Sequence, residues 1–493
     1  MKGTKSYYLI LLTVFLVSGA CDDILEENPR NQIFQNNFFQ TENDAIGAIN
    51  SIYGHMNSTS VGPTFGGLYH STYWVIQGLA SDEMNNRLAG APSNDELEQF
   101  RFDAANGNFF DVWSQAYRVI YNANFAIEGI ATMDLSDPIK NSLLGEARFL
   151  RSMVYFDLLR MFGEVPLLLE DDAELRPTKN TVDEIYEQII ADLQIAADNL
   201  PTSYSVGDGL GRATSGAARG LLSKVYLTRG DWQLAVDNAA LVINSGTYHL
   251  WPDFADMFKI ANENGQETLF GVGFGDAQGA ISFWEVGQFN VRLLPRELRF
   301  VVPGANVQGW QVATQNLYDS FDPGDRRRAV TFITTVSGDA LDDPHIRKYW
   351  DEEREPIPGN TEADFPYLRY ADILLIYAEA LNELSGGPTS EAYDAINAIR
   401  QRARFDGTAE QPVLPDLANL SQEQFRDAVL LERRREFVGE GHRWFDLVRM
   451  GKLQELVPLA KEGISPRPTD ILFPLPQIEI DLNQNLLPQN PGY

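Results

Sequence analysis

The run Leu144 to Leu167, LGEARFLRSMVYFDLLRMFGEVPL, constrains the fold more than any other stretch of the chain. Its apolar residues Ala147, Leu150, Val154, Leu158 and Met161 recur three or four apart, and Phe149, Met153 and Phe156 make a second stripe beside the first. Two adjacent faces of one helix are therefore built for burial. The same helix carries Glu146, Arg148, Arg151, Asp157 and Arg160. With so little solvent-facing surface left, these charges need partners, because an unpaired buried charge is costly. Gly163 fits a C-cap, and Val165-Pro166 forces an extended exit. The stretch predicts an inner helix with an internal ion-pair network rather than a catalytic carboxylate.

Helical signals recur along the chain. Thr41 with Asp44 fits an N-cap, followed by a stripe at Ala45, Ile46, Ile49, Ile52 and Tyr53. Residues 58–68 break it. A short second helix is predicted over 73–83, a polar loop over 85–108 and a helix over 109–133 that buries Trp113. Thr181 and Glu184 fit a capping box for a helix over 181–200, which Pro201 stops. Residues 215–228 and 232–244 read as a tight helical hairpin about Arg229-Gly230-Asp231. Its Leu222, Tyr226, Gly230, Trp232, Ala235 and Ala239 alternate large and small residues as a tetratricopeptide repeat does. A second hairpin is predicted over 370–384 and 390–404. The fold class expected is mainly α, a tetratricopeptide-like scaffold of about four helix pairs.

Residues 247–364 have other habits, with one strand signal at 268–274 and recurring Pro, Gly and aromatic residues. So long a segment is not a structureless loop, and it predicts an irregular second lobe. The organisation expected is a signal peptide at 1–20, a tether at 21–36, helical-repeat regions at 37–246 and 365–493, and the irregular lobe between them.

Charge and motifs narrow the function. Thirty-nine basic against 69 acidic residues give a net charge of -30, which disfavours nucleic acid and strongly anionic polymers while leaving neutral ligands, or anionic ones met by a local basic patch. Cys21 is the single cysteine, so no intramolecular disulfide or cysteine metal cluster is possible. Lys2 and Lys5, the apolar run from Tyr7 to Val17 and the small residues Ser18-Gly19-Ala20 read as an export signal. The triplet before Cys21 resembles a bacterial lipobox, which makes Cys21 the acylated N-terminus. His55, His70, His249, His345 and His442 stand singly, without metal spacing, and read as structural or surface residues. No GxSxG or Walker pattern occurs, and the glycines at 271, 273, 275 and 279 lack the helix a dinucleotide site needs. The sequence offers no positive sign of catalysis, of a cofactor or of a metal.

Several segments carry a family resemblance. GEARFLR leading to FDL and GEVPL, LASDE at 79–83, FDPGDRRR at 321–328, RYADILLIYAEALNEL from Arg369, AINAIRQRA from Ala395, LERRREFVGEGHRWFDLVRMGKL from Leu431 and the closing LFPLPQIEIDLNQNLLPQNPGY all resemble the SusD/RagB family of surface nutrient-binding lipoproteins. The resemblance implies a lipid anchor in the outer membrane facing the exterior, with Asp22-Asp23 as the surface-export signal. It also implies a glycan ligand and a SusC-like TonB-dependent transporter as partner. The family's ligand surface draws on the loop after the DE segment and on the inserted lobe. By position this brings in Asn85, Asn86 and Arg87 from the loop, and Phe283, Trp284 and Trp310 from the lobe. These residue types suit sugars, whose C–H faces stack on aromatic rings while their hydroxyls pair with amides and charges. Trp113, Trp232 and Trp444 sit on helical stripes or scaffold segments and are expected in the core. The alternative ligand on the same fold is a peptide, as for RagB-like members. A surface glycosidase would need two facing carboxylates across a cleft.

Overall fold

The computed structural model describes residues 38–59, 66–170, 174–205, 209–275 and 286–493. The export signal, Cys21 and the tether lie outside the described residues, as do Phe283 and Trp284.

The chain is mainly helical. Helix α1 (Glu42–Asn57) begins with the expected cap: Asp44 N donates to the Thr41 hydroxyl at 3.3 Å, and Thr41 N donates to the Asp44 carboxylate at 2.6 Å. A π-helical turn, Leu68–Thr72, leads into α2 (Tyr73–Leu79), which ends short of the predicted Glu83. Ser81 turns the chain there, donating to Gly78 O at 2.9 Å and accepting from Glu83 N at 3.2 Å. The segment predicted as a polar loop instead holds strand β1 (Met84–Asn86) and helix α3 (Pro92–Glu98), with proline in the first turn of the helix.

Helices α4 (Gly107–Thr132) and α5 (Asp137–Phe162) pack side by side. All eight residues of the two apolar stripes on α5 are buried. Its charges are paired as the sequence demands. Arg151 reaches Asp192 at 2.7 Å, Glu146 reaches Arg212 at 2.8 Å, and Asp157 holds Arg160 while accepting from Tyr69, Tyr73 and Tyr367. Gly163 closes the helix at φ 71°, where a side chain would be strained. Helices α6 (Val182–Asn199, with the Thr181/Glu184 capping box), α7 (Ser215–Arg229) and α8 (Trp232–Asn244) continue the layer, each packed on the one before.

The irregular segment begins with 3₁₀ turns at Phe254–Phe258 and Ile260–Asn262 and contains strand β2 (Thr268–Val272), the short helices α9 (Phe289–Leu293) and α10 (Leu298–Val301), strand β3 (Gln311–Ala313), and strands β4 (Phe332–Val336) and β5 (Asp339–Ile346). Leu294, Leu298, Val307 and Val336 form a small core of their own. The chain returns through β6 (Phe365–Arg369) to α11 (Tyr370–Ser385), α12 (Ser390–Arg404), α13 (Gln422–Glu436) and α14 (Arg443–Arg449). Three two-stranded antiparallel sheets pair β1 with β3, β2 with β6 and β4 with β5.

An ion network fastens the C-terminal part. Arg369 at the end of β6 reaches Glu267 at 2.7 Å, Glu436 at 3.1 Å and Glu440 at 2.8 Å, while Arg402 of α12 shares Glu267 and Glu436. Arg327 reaches Glu432 at 2.6 Å, and Arg433 reaches Asp372 at 2.6 Å and Asp446 at 2.8 Å. With Arg434 on Asp82 and Arg435 near Asp322, every charge of the LERRRE run faces an opposite charge on another element. Trp113 and Trp444 are buried as expected, whereas Trp232 is half-buried. The tail is packed down through Leu486 and through Asn490, which donates to Phe162 O and Phe473 O. Leu487 is 48% exposed.

Candidate functional site

The β1–β3 ladder brings the loop after the DE segment against the irregular segment. Asn85 lies opposite Val312 and Asn86 opposite Gln311, and Arg87 N extends the ladder by donating to Trp310 O at 2.7 Å. Four of the residues singled out in the sequence therefore meet at one joint. The turn before Trp310 depends on Gly309, at φ 61°, where a Cβ would lie 2.7 Å from Cε1 of His345. His345 is itself fixed, its Nδ1 2.9 Å from Leu293 O, and burial lowers its pKa.

Each side chain at the joint has a distinct environment. Asn86 is buried, and its amide donates to Asp95 at 2.7 Å and to Leu88 O at 3.3 Å; its backbone N donates to Glu98 at 3.2 Å. Helix α3 thus supports β1 from behind. Asn85 is half-buried. Arg87 forms a two-pronged pair with Asp343 of β5, both contacts at 2.8 Å, and that hydrogen bonding raises its pKa. Trp310 is half-buried, with the Arg292 guanidinium 5.1 Å from its ring centroid, a cation–π contact. Burial pushes Arg292 down to about 10. Burial also pushes His70 down to about 3, so it carries no charge at neutral pH.

Residues 342–493 match the model of the SusD family, and residues 49–227 match that of a family described as starch-binding associating with outer membrane. A SusD-like protein from Formosa agariphila is 33% identical over 99% of this chain and all of that relative. The chain belongs to the SusD family. A solved SusD homologue from Bacteroides thetaiotaomicron superposes with a TM-score of 0.78 at 24% identity, covering 93% of this chain and 98% of that one. A laminarin-binding SusD-like protein superposes at 0.76 with 25% identity, covering 92% of this chain and all of the other.

Sequence reasoning missed two features of this candidate surface. Arg292, in FNVRLLPRELRF, reads as one more arginine beside an apolar run, and only the fold reveals what surrounds it. Phe300 on α10 is 82% exposed, and Val301 and Ile357 are exposed as well. Asn306 N donates to Pro358 O at 2.8 Å, which ties the segment after α10 to the one carrying Ile357. In the sequence, LRFVVPG has the look of core; Leu298 does pack inward, but the exposure of Phe300 and Val301 leaves no sign in so apolar a run. Phe300 offers an exposed ring face on a helix whose Arg299 donates to Gln308 at 3.4 Å, which in turn donates to Asn306 at 3.4 Å.

Proposed function

We propose that the protein captures oligo- or polysaccharide at the cell surface and hands it to a SusC-like TonB-dependent transporter, binding its ligand without chemically altering it. In this reading Cys21 carries the lipid that holds the body on the exterior of the outer membrane, since two or more acyl chains anchor far better than one. Residues 37–246 and 365–493 serve as scaffold and residues 247–364 supply most of the ligand surface. The observation that carries the reading is the joint at which β1 and β3 set Asn85, Asn86 and Arg87 beside Trp310. An indole that is half-buried can stack on a sugar while remaining rigid, and flanking amides and charges can meet hydroxyls. Phe283 and Trp284 belong to the same proposed surface. The names of the starch-binding family and of the laminarin-binding neighbour support a glycan as ligand.

The test is affinity electrophoresis and calorimetry of the lipid-free chain, residues 22–493, against neutral and acidic polysaccharides, with Trp310→Ala and Trp284→Ala alongside. Retention by a polysaccharide, weakened in either variant, is the expected result. Retention of peptides with no response to any polysaccharide would sink it. Weak affinity for short oligosaccharides is consistent with capture of a long polymer by many contacts.

A further inference from the structure

We propose that Arg292 is the receptor for an acidic group on the glycan, a uronate carboxylate or a sulfate ester, which rests on the reading of this surface as a glycan site. Arg292 is only 9% exposed, and among the described residues no carboxylate lies within 4 Å of its guanidinium. Its Nε is buried without a hydrogen-bond partner. Every other buried arginine among the described residues has a carboxylate within that distance: Arg151, Arg327, Arg369, Arg400, Arg402, Arg433, Arg434, Arg435 and Arg443. Buried Lys461, which also has no ion pair among the described residues, donates to Leu79 O at 2.6 Å.

A chain that compensates its buried cations so consistently leaves Arg292 as the exception. An unpaired buried guanidinium opposes folding, so its presence beside the candidate ligand surface is explained when the missing anion arrives with the ligand. Its position supports this, because the guanidinium lies 5.1 Å from the ring centroid of half-buried Trp310. A sugar stacked on that indole would place its substituents near the cation. Neighbouring arginines do not compete for the anion in the same way. Arg87 is held by Asp343 at 2.8 Å, Arg296 meets Glu297 at 3.3 Å, and Arg299 donates to Gln308 at 3.4 Å. The planar five-donor fork matches a carboxylate or sulfate, which can neutralise it, whereas a neutral hydroxyl cannot. The net charge of -30 sets the remaining condition. A densely charged polymer is repelled by the body as a whole, so the ligand that fits carries acidic sugars spaced among neutral ones.

The experiment measures binding of residues 22–493 to a glucuronoxylan, whose uronates are spaced along a neutral backbone, to a sparsely sulfated galactan and to laminarin, together with the carboxyl-reduced or desulfated form of whichever acidic polymer binds. The acidic polymer should bind roughly tenfold more tightly than its neutralised form. Arg292→Gln should erase that difference, and Arg292→Lys, which keeps the charge but loses the fork, should restore part of it. The melting temperature of Arg292→Gln should be no lower than that of the parent, which separates lost recognition from lost folding. Which acidic polymer responds identifies carboxylate or sulfate as the source. Equal affinity for acidic and neutralised forms, or binding of a neutral glycan that ignores Arg292, overturns the inference while leaving glycan capture intact. Failure to bind any glycan overturns both.

Discussion

Arg369 and Arg292 are the same residue at similar depth in two regions of one molecule, with opposite surroundings. Arg369 is wrapped by Glu267, Glu436 and Glu440, and these carboxylates raise its pKa well above the ordinary value despite burial. Arg292 is pushed down by burial, with no such company among the described residues. The difference separates charge used to hold elements together from charge left available. In the C-terminal network each cation is matched by the chain itself, which fixes β6, α12 and α13 in one arrangement. Beside the β1–β3 joint Arg292 meets the Trp310 indole and, among the described residues, no carboxylate.

Removing the matched cation should have the largest effect. Arg369→Met leaves buried carboxylates without their partner and should destabilise the protein by about 3–5 kcal/mol in denaturant unfolding; a loss below about 1 kcal/mol would mean the network relaxes easily. Arg292→Met should act with the opposite sign, raising stability by about 1–2 kcal/mol because an uncompensated charge is replaced by an apolar side chain. A destabilised Arg292→Met would show that Arg292 is matched after all.

Glu263 is the acidic mirror of Arg292. It accepts from Asp364 N at 2.9 Å, and burial together with the Asp364 carboxyl pushes it up to about 9. Because its folded pKa is raised, the stability it contributes is present below the usual glutamate range and is lost as pH climbs through about 9. Thermal melts should therefore fall as pH rises from about 5 to about 9, and Glu263→Gln, which keeps the acceptor oxygen, should flatten that slope. Unchanged slope in the variant would place the dependence elsewhere. The smallest effect is expected at Arg87, whose pair with Asp343 is partly exposed. Arg87→Ala should cost no more than about 1 kcal/mol, shrinking further in high salt, so a larger loss in the same melts would show that the pair holds β1 to β5.

The scaffold was legible in the sequence because its signals are local and repeated. The double stripe of α5 announces an inner helix, and the Thr41/Asp44 and Thr181/Glu184 boxes mark two helix starts. Helix α3 was not legible: in PSNDELE the single buried apolar residue, Leu97, cannot make a period. The β4–β5 hairpin turns through Ser337 and Gly338, at φ 52° and 92°, a two-residue signal surrounded by aspartates that mask the alternation of the strands. The gathering of Asn85, Asn86, Arg87 and Trp310 came from family resemblance, since a ladder between distant segments leaves no local trace. The isolation of Arg292 had none either, because the absence of a partner is a property of the folded neighbourhood.

The β2–β6 pair has a consequence for how such a protein diversifies. Val272 and Phe365 face each other across the ladder, so the whole intervening segment leaves and re-enters the scaffold through two adjacent strands. Its ends are already closed by backbone hydrogen bonds, and changing its length carries only a small entropic cost. The stretch can therefore change in length between these two strands without reopening the ladder, provided the scaffold contacts it carries, such as Arg327 with Glu432, are kept.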